Sequence, residues 1–264
     1  IRAAIQAEYF TPTGRIAIDT QTAMVIALFM DLVPPQHKAR LEKTLREKMR
    51  KDHYHLKTGF LGTPYLCRVL SAHGSNDIAY RLLLHEDFPS WLYAIKLGAT
   101  TIWERWNSLL PDGTISDLTM NSFNHYAYGS IVEWIYRNAA GINPVEDQPG
   151  FRRARLAPQP DSKLKWVKAA YDSAAGRYES GWAIQEDGRL TFHFRVPFNA
   201  SAELRLPDTS PEAVTVNGQP LASSGLSARQ DGADALVELP AGTWDFQYMP
   251  TRDYLPRLST ASSL

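Results

Sequence analysis

Residues 20–52 read TQTAMVIALFMDLVPPQHKARLEKTLREKMRKD and hold two helices of opposite character. Asp19 or Thr20 can cap the first, which runs to about Leu32 through Met24-Val25-Ile26-Ala27-Leu28-Phe29-Met30. A helix apolar nearly all round has to be covered on all sides. Pro34-Pro35 stops it and starts the next. In residues 38–52, Leu41, Leu45 and Met49 recur at four-residue steps and make one apolar stripe. The Glu42/Arg46 and Glu47/Lys51 pairs occupy the opposite face. An inner helix followed by an outer one is the repeat of a two-ring helical barrel, and of other layered helical folds.

The alternation extends in both directions. Ile1–Phe10 looks like the end of a helix. Thr63 can cap a helix starting at Pro64, with Gly74 closing it, and Ser75 or Asn76 opens another through Ile78, Leu82 and Leu83. Ser90 can cap a short helix ending near Gly98, and a last one is predicted from Asn121 or Ser122 to Ala140, for about six in all. Near residue 148 the period changes from helical to two. Leu190, Phe192, Phe194 and Val196 alternate with polar residues, as do Trp244, Phe246 and Tyr248. Asp187-Gly188, Asn217-Gly218 and Asp231-Gly232 supply turns. The expected organisation is an α part followed by an all-β part. A helical domain occupies 1–148, with Gln148-Pro149-Gly150 as the junction. An antiparallel β-sandwich follows over 149–250, then a loosely ordered, Ser-rich tail at 251–264.

Composition narrows the chemistry. Lys plus Arg and Asp plus Glu both number 28, so no net charge draws the chain to nucleic acid or a membrane surface. No apolar stretch is long enough to span a bilayer. Cys67 is the only cysteine and sits in an apolar helical run, so it reads as core. His53 and His55 lack partners at metal-ligand spacing, and phosphate-cradling, dinucleotide and nucleophile-elbow motifs are absent, so neither a metal nor a cofactor is expected. The chain starts at Ile1 without Met or a signal peptide. The expectation is therefore that its true N-terminus lies upstream, and that bacterial cytoplasm and periplasm are equally open.

Four stretches can carry chemistry. In GATTIWERWN (98–107), Glu104 stands between Trp103 and Trp106; a carboxylate among aromatics is desolvated and becomes a better base. Arg105 could pair with it and is expected to point elsewhere. NSFNHYAY (121–128) holds His125 at a predicted helix start. TGFLGTPY (58–65) and EDFPSW (86–91) are loop segments. Each also has a structural reading: a surface Glu beside core Trp, a hydrogen-bonding His, a tight turn, a loop cap. Trp166, Trp182 and Trp244 read as core of the second half.

At GATTIWERW and NSFNHYAYGSIVEWIY the chain resembles glycoside hydrolase family 78, the bacterial-type α-L-rhamnosidases. The likeness continues at TQTA (20–23), HLKTGFLGTPYL (55–66), EDFPSW, GFRRARLAPQP (150–160) and WVKAAYDSAAGRYESGW (166–182). The resemblance implies the second half of an (α/α)6 barrel followed by a C-terminal β-sandwich. It implies hydrolysis of terminal α-L-rhamnosyl residues with inversion, with Glu104 as general base and His125, Trp103 and Trp106 at the sugar. The family's general acid lies in the missing first half of the barrel, so the partners expected are a rhamnose-containing glycoside and the missing N-terminal half of the same protein. On that reading this bacterial fragment is inactive alone. Asn107 departs from the Asp common in related sequences. The rival readings are another (α/α)6-barrel glycosidase and a non-catalytic carbohydrate-binding or structural module.

Overall fold

The computed structural model describes residues 1–255, and the chain divides into two compact units, one running from Ile1 to Trp134 and the other from Ile135 onward. The first contains α1 (Arg2–Tyr9), α2 (Gln21–Phe29), α3 (Lys38–Lys51), α4 (Thr63–Ala72), α5 (Asn76–Leu83), α6 (Trp91–Lys96) and α7 (Ile131–Trp134). Thr20 caps α2 by accepting from the Ala23 amide, and Ser90 caps α6 by accepting from that of Tyr93. The inner–outer alternation is present: α3 packs on α2, α5 packs on α4, and α2 and α4 pack on each other. Leu41, Leu45 and Met49 of α3 are buried, as its stripe requires. Tyr80 of α5 meets the Trp134 ring edge-on at 5.0 Å, and the Trp134 indole N–H donates to Ser71 Oγ over 2.8 Å.

Two expectations for this unit need correction. The all-round apolar helix is not covered all round: Met30 is 47% exposed, and Ile26 lines an open apolar groove with Ile5, Tyr9 and Ile18. Among the described residues, α1, α3 and α4 leave that side of α2 uncovered. The helix expected from Asn121 also starts late. Residues 121–126 are irregular, a 3-10 turn spans Ala127–Ser130, α7 follows, and the helix widens to a π turn over Ile135–Ala139. The Asn and Ser that looked like caps hold loop backbone instead.

Among the described residues the second unit has nine strands: β1 (Ile142–Pro144), β2 (Arg153–Leu156), β3 (Trp166–Ser173), β4 (Gly176–Ile184), β5 (Leu190–Leu206), β6 (Thr215–Val216), β7 (Gln219–Pro220), β8 (Ala228–Asp231) and β9 (Asp234–Tyr248). The long pair β5–β9 is the spine, with a register break between Val196 and Ser201. Before the break β5 pairs with β4, and after it with β2; β9 likewise pairs with β6 near one end and β8 near the other. Even-numbered residues of β5 line the core on both sides of the register break, Leu190 to Val196 and Ala200 to Leu206, while Phe198 at the break is exposed. The sandwich thus consists of two wings sharing one ladder. It is mixed rather than purely antiparallel, because β2 and β5 run parallel. Strand direction follows from the connection between strands, which local period does not encode. Trp182 is core, donating its indole N–H to the Ala139 carbonyl over 2.7 Å, but Trp166 is 61% exposed and corrects the core reading. The start of the expected loose tail is tied down: the Thr251 amide donates to the Asp208 carbonyl, and the Tyr254 hydroxyl to the Asp208 carboxylate. The tail from position 256 on lies outside the described residues.

Two stability predictions follow. Cys67 is 2% exposed and burial pushes its thiol up to about 12, so almost no thiolate exists at pH 8. Iodoacetamide should leave the native protein unmodified and label it once urea opens the helical unit. Gly141 has φ +79°, and a Cβ there would lie 2.1 Å from Pro158 N, which is rigid backbone. Gly141→Ala should lower stability by about 3 kcal/mol, read as a drop in the urea midpoint.

Candidate functional site

Between α6 and the 3-10 turn at Ala127, some thirty residues form no helix and no strand. Their backbone polar groups still need partners. Two bonds supply the frame: the Glu104 amide donates to the Ser122 carbonyl over 2.8 Å, and the His125 amide to the Ile102 carbonyl over 2.7 Å. The GATTIWERWN and NSFNHYAY stretches are thereby laid side by side, which brings the Glu104 and His125 backbones together. The Thr101 hydroxyl bonds the Phe123 carbonyl, and the Asn121 side-chain amide donates to the Ser108 carbonyl over 3.0 Å.

Aromatic rings form the walls. Trp106 stacks on Tyr128 with centroids 3.8 Å apart and planes within 10°, and Trp91 meets Trp106 edge-on at 5.3 Å. Phe60, from TGFLGTPY, stacks on His125 at 4.5 Å and leans on Tyr128 at 5.3 Å. Indole N–H groups pin this wall to backbone: Trp106 donates to the Thr58 carbonyl over 3.2 Å, and Trp91 to the Tyr128 carbonyl over 2.8 Å. Trp103 is 6% exposed and packs edge-on to Phe123 at 5.5 Å, in the layer beneath the loop. Phe60, Tyr128 and Trp91 were not singled out from the sequence, although each lies in a stretch that was. Their clue is position, since each aromatic stands within a few residues of the glycines, prolines and histidine that bend the loops.

Electrostatics separate the charges. Glu104 is half-buried; burial, and then the nearby Glu104 charge, push the Tyr128 phenol above its ordinary range. Arg105 pairs with Asp117 over 2.8 Å. Asp117 also accepts from the Thr119 hydroxyl and amide, and these bonds, led by the hydroxyl, bring its carboxyl down to about 2. His125 Nδ1 accepts from the Ala127 amide over 3.3 Å, so in the neutral ring Nε2 carries the proton. The site therefore offers an ionisable carboxylate, a ring N–H donor and a stacked aromatic wall. Among the described residues no group of three or more His, Cys, Asp or Glu side chains is placed to hold a metal ion, and no helix is long and apolar enough to cross a membrane.

Comparison with known proteins adds the following. Residues 1–139 match the family model of the bacterial alpha-L-rhamnosidase 6 hairpin glycosidase domain, and residues 141–220 match that of the bacterial alpha-L-rhamnosidase C-terminal domain. An alpha-L-rhamnosidase of Streptomyces avermitilis is 40% identical over 247 residues, which is 93% of this chain and 23% of that protein. One from Formosa agariphila is 40% identical over 200 residues, 76% of this chain and 21% of the relative. The solved structure of the Streptomyces avermitilis enzyme complexed with L-rhamnose superposes with a TM-score of 0.85 at 39% identity, covering 93% of this chain and 23% of that one. The native enzyme of Aspergillus terreus superposes at 0.82 with 28% identity, covering 94% and 26%. The chain thus spans less than a quarter of the length of these two curated relatives.

The Phe60–His125 stack makes a direct prediction. A ring lying parallel at 4.5 Å shifts the His125 ring protons upfield. Phe60→Leu should move them downfield in NMR spectra and leave other histidines in place; an unmoved His125 would show that the two rings do not stack in solution.

Proposed function

The chain belongs to the bacterial α-L-rhamnosidase family, and from that premise we propose that its parent protein hydrolyses terminal α-L-rhamnosyl residues with inversion, using Glu104 as general base. The observation that carries this is the half-buried Glu104 carboxylate, set within the field of the Trp106–Tyr128 wall and bonded through its amide to the strand of chain that bears His125. Inversion requires a base that takes a proton from water on one face of the sugar and an acid that gives one to the leaving oxygen on the other. The two carboxyls stand roughly 6.5–9.5 Å apart. Glu104 draws the proton from water as the water oxygen bonds the anomeric carbon. His125 donates from Nε2 to a sugar hydroxyl, Trp106 presents its face to the C–H side of the ring, and Trp103 supports the loop from beneath.

The acid has to be a different carboxyl. It must hold its proton near neutral pH, and Asp117, held down to about 2, does not. Glu86 is bound to Lys96. We assign the acid to a part of the parent outside these 264 residues, consistent with the share of the relatives that the chain spans. On this assignment the 264-residue chain alone is inactive.

The test uses a nitrophenyl α-L-rhamnoside with the parent, its Glu104→Gln variant and the present chain. The parent should turn over, Glu104→Gln should lose about 10²–10⁴-fold in kcat with KM little changed, and the chain alone should be silent. Turnover by the chain alone would place the acid within these residues. Retention of full activity by Glu104→Gln would remove it from the role of base, and unchanged sugar binding without any turnover in the parent would favour a binding module.

A further inference from the structure

The face of the second unit that carries Trp166 has features that the barrel chemistry does not use. Directly paired residues of adjacent strands point to the same side of a sheet. One row across β3, β4, β5, β9 and β6 is therefore Trp166, Ala183, Thr191, Gln247 and Thr215. The next row is Lys168, Gly181, His193 and Asp245. Small residues stand in the middle of both rows, so the sheet surface dips there between taller side chains. The result is a cavity of about 690 Å³ lined by these two rows, inside the range of roughly 300–1,000 Å³ common for small-ligand sites. Glycine suits the dip at position 181, where a Cβ would make a tight 3.1 Å contact with the Val167 carbonyl oxygen.

We propose that this groove is a saccharide-binding site, separate in sequence and in unit from Glu104, in which a pyranose ring stacks on Trp166 and its hydroxyls bond to Lys168, His193 and Gln247. Trp166 stands at the groove's rim with most of its indole in water, whereas Trp182 on the adjacent strand is buried. A pyranose offers what such a rim accepts: an apolar C–H face bordered by hydroxyls that both donate and accept. The polar groups are oriented in advance. His193 Nδ1 bonds Asp245 over 2.7 Å, and its Nε2 lies 3.9 Å from Glu179, outside hydrogen-bond reach, so a ligand hydroxyl can bond it; Glu179 is itself held by Arg177 over 3.1 Å and Arg195 over 3.4 Å. The Lys168 ammonium and the Gln247 amide have no side-chain partner among the described residues and supply free donors and an acceptor. Charged groups at the centre of the groove argue against a protein partner, since interface cores are depleted of charge. The proposal rests on the family's carbohydrate chemistry and is independent of the role given to Glu104.

Affinity electrophoresis of the full-length parent through gels containing a soluble rhamnogalacturonan tests it, with nitrophenyl α-L-rhamnoside turnover measured on the same samples. The expected result is retardation of the parent, weakened about tenfold in Trp166→Ala and less in Gln247→Ala, with turnover unchanged in both. Circular dichroism melting, with Trp166→Phe as the conservative variant, establishes that the sheet is intact. Absence of retardation, or equal retardation of Trp166→Ala, overturns the proposal. So does protection of Trp166 from N-bromosuccinimide in the sugar-free parent, because the groove would then be covered by another part of the protein or by a second copy. A parent that is retarded but shows no turnover of the rhamnoside would count against the proposed hydrolysis and leave this site standing.

Discussion

The helical unit depends on how a long irregular segment satisfies its own backbone. Residues 97–126 have no regular ladder, and a buried amide or carbonyl without a partner costs about 1–3 kcal/mol. The segment folds back on itself so that 102–104 and 122–125 exchange two main-chain bonds. Side chains complete the work: Ser108 accepts from the Arg105 amide, and Asp112 and Asp117 accept from amides two residues ahead. This juxtaposition puts Glu104 and His125 side by side. Their proximity follows from main-chain pairing, and the His125 ring adds to it by accepting the Ala127 amide and stacking on Phe60.

The opposite wall is held by a buried amide. Gln21, on the first turn of α2, donates to Asp52 over 2.9 Å and to the His55 carbonyl over 3.0 Å, and accepts from the Lys57 amide over 3.0 Å. Burial works against the Asp52 charge, but the bonds from Lys57 and Gln21 outweigh it and hold this carboxyl below its ordinary range. The stabilisation is present above the unfolded-state value and fades as pH falls through the lowered one. Lys57 leads directly into Thr58, whose carbonyl receives the Trp106 indole and whose hydroxyl bonds Thr63 at the start of α4. One glutamine on an inner helix thus sets the approach of the loop carrying Phe60.

Sequence reading reached the helices and strands where periodicity is strong, because stripe and alternation report burial directly. Leu41, Leu45 and Met49 on α3 and Leu190, Phe192, Phe194 and Val196 on β5 are buried as their spacing requires. It failed where the deciding partner is distant. Asn121 and Ser122 have the chemistry of helix caps, yet Asn121's side-chain amide donates to the Ser108 carbonyl upstream, Ser122's carbonyl accepts from the Glu104 amide, and its hydroxyl closes a local turn at Asn124. Trp166 opens a strand with period-two flanks, and only the pairing register shows that it shares a face with Lys168 and Gln247 rather than with Trp182. The parallel β2–β5 pair was invisible for the same reason. In the site, Glu104 and His125 were legible as unusual residues in unusual company; Tyr128 and Phe60 were not, because a stacked wall is assembled from segments distant in sequence and belongs to none of them.

Arg105 shows how neighbours in sequence are kept apart in effect. A guanidinium beside Glu104 would stabilise the carboxylate and make it a weaker base. The chain turns at Ser108, and Asp117, already an acceptor for Thr119, takes the guanidinium at 2.8 Å. With its carboxyl brought down to about 2, Asp117 is charged near neutral pH and available to the guanidinium. On the function proposed above, Asp117 is a positioning residue: it keeps the cation away from the base while its turn shapes the loop that faces it. The same carboxylate is thereby unfit to serve as acid. On the same proposal, keeping Arg105 on Asp117 is what leaves Glu104 without a cationic partner next to it in sequence.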